Sequence, residues 1–229
     1  VQSEACTGIQ VAKIWTHVGM VIINGEKMSK SLGNIKSIKH VLENWGPNVI
    51  RLFCMSGHYS KPIDYSEKLL NESLIKWRQV EICHYELIHA DGESNNEINL
   101  TVEKTGIEFD NALENDFNTH LALSAFFQLV KEVNRLAAVE NLSAETSKIA
   151  TLEFERMLRI LGLSIPKMTE LERQEVDNLI ANREKCRMEK NFEEADRIRD
   201  KLNENKIELI DHKGKTIWIK KENIKAEDE

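Results

Sequence analysis

Residues 18–34 read VGMVIINGEKMSKSLGN and hold the clearest change of pattern in the chain. The apolar run Met20–Ile23 predicts a short strand. Asn24-Gly25 then predicts a tight turn, because both residues tolerate positive φ. The chain next enters KMSKS, Lys27–Ser31, a polar loop that ends at Gly33-Asn34. We therefore expect a strand that leads into a loop rich in lysine and serine.

Beyond this loop, apolar residues recur at three- and four-residue steps, which indicates helices. The pattern is interrupted at Gly46-Pro47 and at Ser60-Lys61-Pro62, and the polar segment Asp91–Asn99 is interpreted as a surface loop. The apolar run around Cys54 places that thiol in the core. Helical runs are predicted over 37–44, 48–56, 66–89, from 118 onward, 144–161, 169–188 and 192–203. IELID and TIWIKK alternate like two strands that meet in a turn at Gly214.

The composition favours long helices over a β-sandwich, since 229 residues include only 3 prolines, 10 glycines and 6% aromatic residues. No window approaches the roughly 18 apolar residues of a membrane span, so no membrane contact is expected. The four cysteines lack the spacing of a zinc site and indicate reduced cytosolic thiols. The formal charge of −7 argues against a purely electrostatic, non-specific nucleic-acid binder, although local patches can still bind phosphates.

The KMSKS loop carries the residue types that bind a polyphosphate. The ammonium groups of Lys27 and Lys30 are compact donors suited to phosphate oxygens, and the nearby serine hydroxyls add hydrogen bonds. In nucleotidyl transfer, charge develops on the departing pyrophosphate, and fixed positive groups lower that barrier. The alternative is an ordinary solvated surface turn rich in lysine and serine.

EKMSKSLGN resembles the signature loop of class I aminoacyl-tRNA synthetases. The wider sequence narrows the resemblance to cysteinyl-tRNA synthetases, through QSEACTG, WTHVGM, VIRLFCMSGHYSKPIDYSE, DNALENDFNTHLAL and EEADRIRDKLNENKIELIDHKGKTIWIKK. The family implies a mostly α fold with three parts: the end of a Rossmann-type catalytic domain with short β elements, a DALR-like helical bundle, and a small helix plus β-hairpin unit. The expected boundaries are 1–65, 66–166 and 167–229.

The resemblance also implies the chemistry. Such an enzyme activates cysteine with ATP and Mg²⁺, releases pyrophosphate, and transfers cysteine to tRNA(Cys). Lys30 matches the family's ATP-binding position, and Lys27 supports the same phosphates. Met28, Ser29 and Ser31 complete the expected ATP-binding loop. A monomeric, cytoplasmic protein is expected.

The family's HIGH-type motif and its zinc site do not occur in this sequence. Zn²⁺, which would select the substrate thiolate, is expected in an upstream part, so no metal ligand is predicted within these 229 residues. The isolated chain is predicted not to activate cysteine. His17 and His58 are interpreted as structural residues.

The C-terminal unit contains the candidates for RNA recognition. The family resemblance places Arg187, Asp196 and Asp211 at positions that contact anticodon bases, with Phe192 and Trp218 as candidates for stacking on splayed bases. Each has a structural alternative: Arg187 and Asp196 could form an ion pair, and Trp218 could fill the hairpin core. A basic patch is formed by Lys213, Lys215, Lys220 and Lys221.

Two other functions stay open at the sequence level. A ligase that joins cysteine to an aminosugar shares the KMSKS loop but needs no anticodon unit, so the tail at 167–221 argues against it. The second alternative is a non-catalytic tRNA-binding module with a vestigial loop, and the intact lysines of the loop argue against this function.

Overall fold

The computed structural model describes residues 2–23, 25–29, 31, 33, 36–92, 97–166, 168–212 and 215–220, and the side chains of residues 97, 211, 212 and 215 lie outside that description. The helices are α1 (Gln2–Thr7), α2 (Ile38–Met55), α3 (Glu67–Ile88), α4 (Glu97–Glu114), α5 (Thr119–Ala138), α6 (Ala144–Leu161), α7 (Glu170–Met188) and α8 (Phe192–Glu204). The strands are β1 (Val21–Ile23), β2 (Glu26–Lys27), β3 (Ile63–Tyr65), β4 (Ile207–His212) and β5 (Lys215–Lys220).

A small mixed sheet supports the KMSKS segment. The strand order is β2-β1-β3, with β1 antiparallel to β2 and parallel to β3. The predicted strand is confirmed, and Gly25 (φ 78°) lies in the turn, whereas Asn24 is outside the described residues. Lys27 was expected in the loop but is the last residue of β2, where it pairs with Ile22.

The core of the molecule is a bundle in which α3, α4, α5 and α6 pack against one another, with α2 packed on α3 and α5. Its centre is aromatic, since Trp77, Phe109, Phe126 and Phe154 are fully buried. The predicted break in α2 is confirmed as a kink at Gly46, whose φ is 75°.

Helix α4 corrects the sequence interpretation. The segment Asp91–Asn99 was expected to be a loop, but α4 begins at Glu97 and Ile98 is fully buried. Residues 93–96 lie outside the description. The prediction that Cys54 is a core residue is also wrong, because α2 buries Val49, Leu52 and Phe53 and leaves Cys54 exposed.

A second, smaller core holds the C-terminal unit together. Val176, Ile180, Leu202 and Ile207 are buried between α7, α8 and β4. The predicted hairpin is confirmed, with β4 and β5 antiparallel. A capping box begins α7: Thr169 Oγ1 accepts from the backbone N–H of Glu172, whose carboxylate accepts from the Thr169 N–H.

Helix α3 links the small sheet, the helical bundle and the C-terminal unit. Its first turn follows β3 directly, its middle packs in the bundle, and it also contacts β5. Arg78 on α3 forms an ion pair with Glu208 on β4, with 2.5 Å between Nη2 and Oε2. Among the described helices, none combines the length and apolar character that crossing a membrane requires.

Candidate functional site

The KMSKS segment leaves the sheet from its edge strand. Lys27 is exposed at the end of β2, Met28 and Ser29 are half-buried, and Ser31 is exposed. The hydroxyl oxygens of Ser29 and Ser31 lie 3.1 Å apart, so they share a hydrogen bond across the loop. Lys30, the residue expected to be most important, lies outside the described residues.

At Lys27, the sheet holds the backbone in place while the side chain is exposed to solvent. Lys27 is held by strand pairing at its backbone, while its side chain is exposed, as an ammonium that binds phosphate must be. Across the described ranges, no three or more His, Cys, Asp or Glu side chains are positioned to hold a metal ion.

The segment between α2 and β3 is hydrogen-bonded to the turn between α4 and α5 of the helical bundle. The Tyr59 hydroxyl donates to Asp116 Oδ1 at 2.7 Å, and His58 Nε2 lies 3.6 Å from Asp116 Oδ2. This hydrogen bond to Asp116 raises the pKa of Tyr59. Asp116 and Phe117 both have positive φ (55° and 49°), a strained conformation that these contacts help to hold. The geometry gives His58 a structural role, as the sequence suggested.

Three of the predicted RNA-binding residues lie at one end of the C-terminal unit. Arg187 is in the last turn of α7, and Phe192 and Asp196 are in the first turns of α8. All three are exposed, with Phe192 at 60%. Arg187 and Asp196 do not pair with each other, and their side chains form no hydrogen bond or ion pair with the described residues. The structural alternative of an Arg187–Asp196 ion pair is thus not what the structure shows.

The other two predicted residues have different surroundings. Trp218 packs on the second core, and its indole N–H donates to Asp177 Oδ1 at 2.9 Å. This is the hairpin-core role that the sequence left open as an alternative. Asp211 pairs with Thr216 in the hairpin, but its side chain is outside the description.

The basic patch that the sequence suggested is only partly described. Lys220 lies 3.5 Å from Glu172 and is therefore committed to an ion pair on the surface. Lys213 and Lys221 lie outside the described residues, as does the side chain of Lys215.

Arg183 is a feature that the motifs do not reveal. It is a buried charged residue of α7, on the same face as Val176 and Ile180. The spacing of three and seven residues from that apolar pair is the signal that could have placed it on the buried face.

Two ionisable groups of α3 that lie close to charged residues of α7 have shifted pKa values. Burial, Arg173 and His89 lower the pKa of His84 to about 4. Burial, Asp177 and Glu86 raise the pKa of Tyr85. His84 is therefore neutral at pH 7 where the C-terminal unit meets the bundle.

Comparison with known proteins matches the N-terminal part of this arrangement and its helical bundle. Residues 1–75 match the model of the class I (C) tRNA synthetase catalytic domain, and residues 108–165 match the DALR domain. Cysteine–tRNA ligases of Pseudomonas aeruginosa and Ectopseudomonas mendocina are 39% and 38% identical to the chain over 224 and 231 residues, 95% of its length. The chain belongs to the cysteine–tRNA ligase family.

The chain spans about half the length of the curated relatives it matches, 47% in both Pseudomonas-type proteins and 48% in the Exiguobacterium ligase, which is 32% identical. A LeuRS from Agrobacterium radiobacter K84, solved as a ternary complex with tRNA and LeuAMS, shares the fold over 62% of this chain and 20% of its own. Its TM-score is 0.52 and its identity 18%. The mostly helical synthetase fold predicted for this family is confirmed.

Proposed function

We propose that the chain supplies the ATP-phosphate loop and the anticodon-binding unit for ATP-dependent ligation of cysteine to tRNA(Cys). The observation that carries the proposal is the KMSKS segment at the edge of a sheet, where Lys27 and Ser31 are exposed, in a chain that belongs to the cysteine–tRNA ligase family. The DALR domain and the C-terminal unit would then bind the RNA.

The loop would act on the leaving group. In the first step, a cysteine carboxylate oxygen forms a bond to the α-phosphorus of ATP, and the bond from that phosphorus to the pyrophosphate oxygen breaks. Pyrophosphate leaves with the electron pair, and Lys27 and Lys30 stabilise its added charge. Met28, Ser29 and Ser31 would shape the loop around the phosphates. In the second step, a terminal hydroxyl of tRNA attacks the cysteinyl carbonyl and AMP leaves.

The N-terminal segment supports a place within a larger catalytic domain. Helix α1 buries no residue, and the segment that follows exposes a run of large apolar side chains. These are Ile9, Val11, Ile14, Trp15, Val18 and Met20. Several large apolar side chains exposed along one segment are typical of a contact with further protein. We infer that further polypeptide of the catalytic domain covers it.

The position of the hairpin supports a shared site for Asp211 and the α7–α8 turn. Lys220 contacts Glu172, and Trp218 contacts Asp177, so β5 runs alongside α7 in the opposite direction. At about 3.3 Å per strand residue and about 1.5 Å per helix residue, Thr216 would lie level with residues near 181 of α7. Asp211, which pairs with Thr216, would therefore lie beside the C-terminal half of α7, the half that ends with Arg187.

The division into three functional parts is also proposed: 1–65 for the catalytic loop, 66–166 for the bundle and 167–229 for anticodon recognition. The four cysteines are free thiols, which supports a reducing compartment such as the cytoplasm. We propose that the protein acts there as a monomer. The aminosugar ligase and the non-catalytic module are not favoured by the comparisons, in which the matched relatives are cysteine–tRNA ligases.

Substitution of Lys30 by alanine tests the catalytic part of the proposal in the full-length protein that contains the chain. Cysteine-dependent ATP–pyrophosphate exchange should fall by about 100-fold or more, because a positive group aimed at developing charge is lost. Binding of tRNA should be unchanged. The matched control is Lys36→Ala, since Lys36 is an exposed lysine just beyond the loop. Equal exchange rates for both variants would contradict a role for Lys30 in activation.

A further inference from the structure

Helix α7 contains a positively charged residue whose side chain is almost completely shielded from water. Arg183 is 7% exposed, and its Nε and Nη1 atoms are buried without a hydrogen-bond partner. No carboxylate of the described residues forms an ion pair with it. It follows Val176 and Ile180 on the buried face of α7, where an apolar residue would otherwise be expected.

Such a charge is unfavourable in the free protein. A guanidinium stays protonated at any ordinary pH, so it cannot become neutral when it is buried. The net penalty for a buried ion without a partner is several kcal/mol. An anion from outside the chain would remove the penalty, and the planar fork of arginine donors matches a phosphate especially well.

The place of Arg183 indicates the source of that anion. Arg187 lies one helical turn further along α7 on the same face and is exposed, and the turn that follows leads to Phe192 and Asp196. An RNA strand that places bases on Arg187 and Phe192 would run past Arg183 with its sugar–phosphate backbone.

We propose that Arg183 binds a phosphodiester group of the tRNA anticodon loop. The inference rests on the proposed tRNA binding and adds a backbone contact to it. A phosphate contact fixes the register of the RNA and carries no sequence information, whereas Arg187 and Asp196 would read base edges. Arg183 is thus a binding residue whose removal weakens all tRNA sequences alike.

The test compares Arg183→Met with Arg199→Met in the full chain. Arg199 is an exposed arginine of α8 that forms no ion pair with the described residues, so the two variants are matched in charge. Affinity for a tRNA(Cys) transcript should fall about tenfold in Arg183→Met and less than twofold in the control. The loss should be the same for a transcript with an altered anticodon. The slope of log affinity against log salt should flatten by about 0.7 to 1, the value for one phosphate contact.

Thermal unfolding without RNA supplies a second measurement. Because Arg183→Met removes a buried charge without a partner, the variant should melt at the same temperature as the parent or higher. A lower melting temperature with unchanged tRNA affinity would mean that a carboxylate of the chain itself is the counter-ion, which overturns the proposal.

Three further results would also overturn it. If millimolar inorganic phosphate stabilises the parent but not Arg183→Met, and tRNA affinity is equal in both, the site binds free anions and not RNA. A parent chain that fails to bind tRNA would overturn both this inference and the proposed function. A parent that binds tRNA as tightly as Arg183→Met would overturn this inference alone.

Discussion

Gly19 controls how closely the strand before the KMSKS loop approaches its neighbour. A β-carbon at this position would lie 2.0 Å from the backbone oxygen of Lys61, far inside contact distance. The backbone N–H of Gly19 also donates to the backbone carbonyl oxygen of Tyr59 at 2.8 Å. The loop is therefore supported by a glycine that no larger residue can replace without moving β1 or β3.

We predict that Gly19→Ala lowers the free energy of unfolding by about 2–3 kcal/mol, the range for a forced backbone shift. Urea unfolding monitored by circular dichroism measures it. Gly57→Ala is the matched control, because an added β-carbon meets no atom within 4 Å there, and it should change stability by less than about 1 kcal/mol. Equal effects of the two substitutions would show that the close approach is absent.

His84 should make stability depend on pH. Its pKa is about 4 in the folded chain, below the ordinary value of 6.5, through burial, Arg173 and His89. Between those two pH values the unfolded chain binds the additional proton, so stability falls as pH drops through this window. Below pH 4 the loss is complete. The full effect is on the order of 3 kcal/mol.

The variant His84→Phe should reduce this dependence, since a phenyl ring can keep the stacking on Phe154 and takes up no proton. Urea unfolding at pH 7.5 and pH 4.5 should show a drop that is smaller by about 2 kcal/mol than in the parent. His17→Gln, at an exposed position, should keep the parent's dependence. An unchanged drop in His84→Phe would sink the assignment.

Residue-scale features were predictable where they depend on neighbours in sequence. Ser66 caps α3 and Asn118 caps α5, at the predicted starts of those helical runs, and Gly162 ends α6 in the left-handed conformation, one residue beyond the predicted end. The exposure of Cys54 was not predictable in this way. It depends on which face of α2 meets the bundle, and that is decided by residues far away in the chain.

Helix α4 shows the same limit at the scale of elements. Its beginning lies in the polar stretch DGESNNEIN, and Gly106 and two threonines lower its helix propensity. One face of α4 is nevertheless apolar, since Ile98, Val102, Phe109 and Ala112 are all buried. Tertiary packing against α5 and α6 stabilises a helix that local propensity does not favour.

The packing of the C-terminal unit against α3 should depend on one ion pair. Arg78 contacts Glu208 across the two parts and also lies 3.5 Å from Glu81 on its own helix. Both partners are largely removed from solvent, so their attraction is screened less than that of a surface pair. We predict a coupling free energy of about 1–2 kcal/mol between Arg78→Met and Glu208→Gln in a double-mutant cycle of unfolding.

An exposed pair within one helix provides the comparison. Lys39 and Glu43 are 3.9 Å apart and well exposed, so the cycle Lys39→Met with Glu43→Gln should give less than about 0.5 kcal/mol. Hydrogen exchange should also show faster exchange in β4 and β5 for Arg78→Met, with the α4–α5 pair unchanged. Additive effects at Arg78 and Glu208 would mean that the ion pair does not hold the unit in place.

Across the whole molecule, α3 connects the two candidate sites. Its 22 residues extend roughly 33 Å, from the sheet beside the KMSKS segment to the contact with the C-terminal unit. A rigid helix of this kind fixes the separation between the loop and the proposed RNA-binding surface. The bundle packed around it with four fully buried aromatic rings makes bending costly.

The candidate sites were predictable to different degrees. The KMSKS residues form a contiguous motif, so their chemistry can be read directly. The proposed RNA-binding residues are spread from Arg187 to Asp211, and only the fold brings the helices and the strand that carry them together. Trp218 could be assigned to stacking or to the core equally well, and the Asp177 contact that favours the core lies 41 residues away.

Anticodon-dependent binding of tRNA by the chain itself tests the central claim most directly. The measurement is the affinity for a tRNA(Cys) transcript with the GCA anticodon, compared with the same transcript carrying an unrelated anticodon, at one salt concentration. We predict at least a tenfold preference for GCA, because lost base contacts cost about 1–3 kcal/mol each. Equal affinity for the two transcripts, or no binding of either, would contradict the claim that this chain recognises tRNA(Cys).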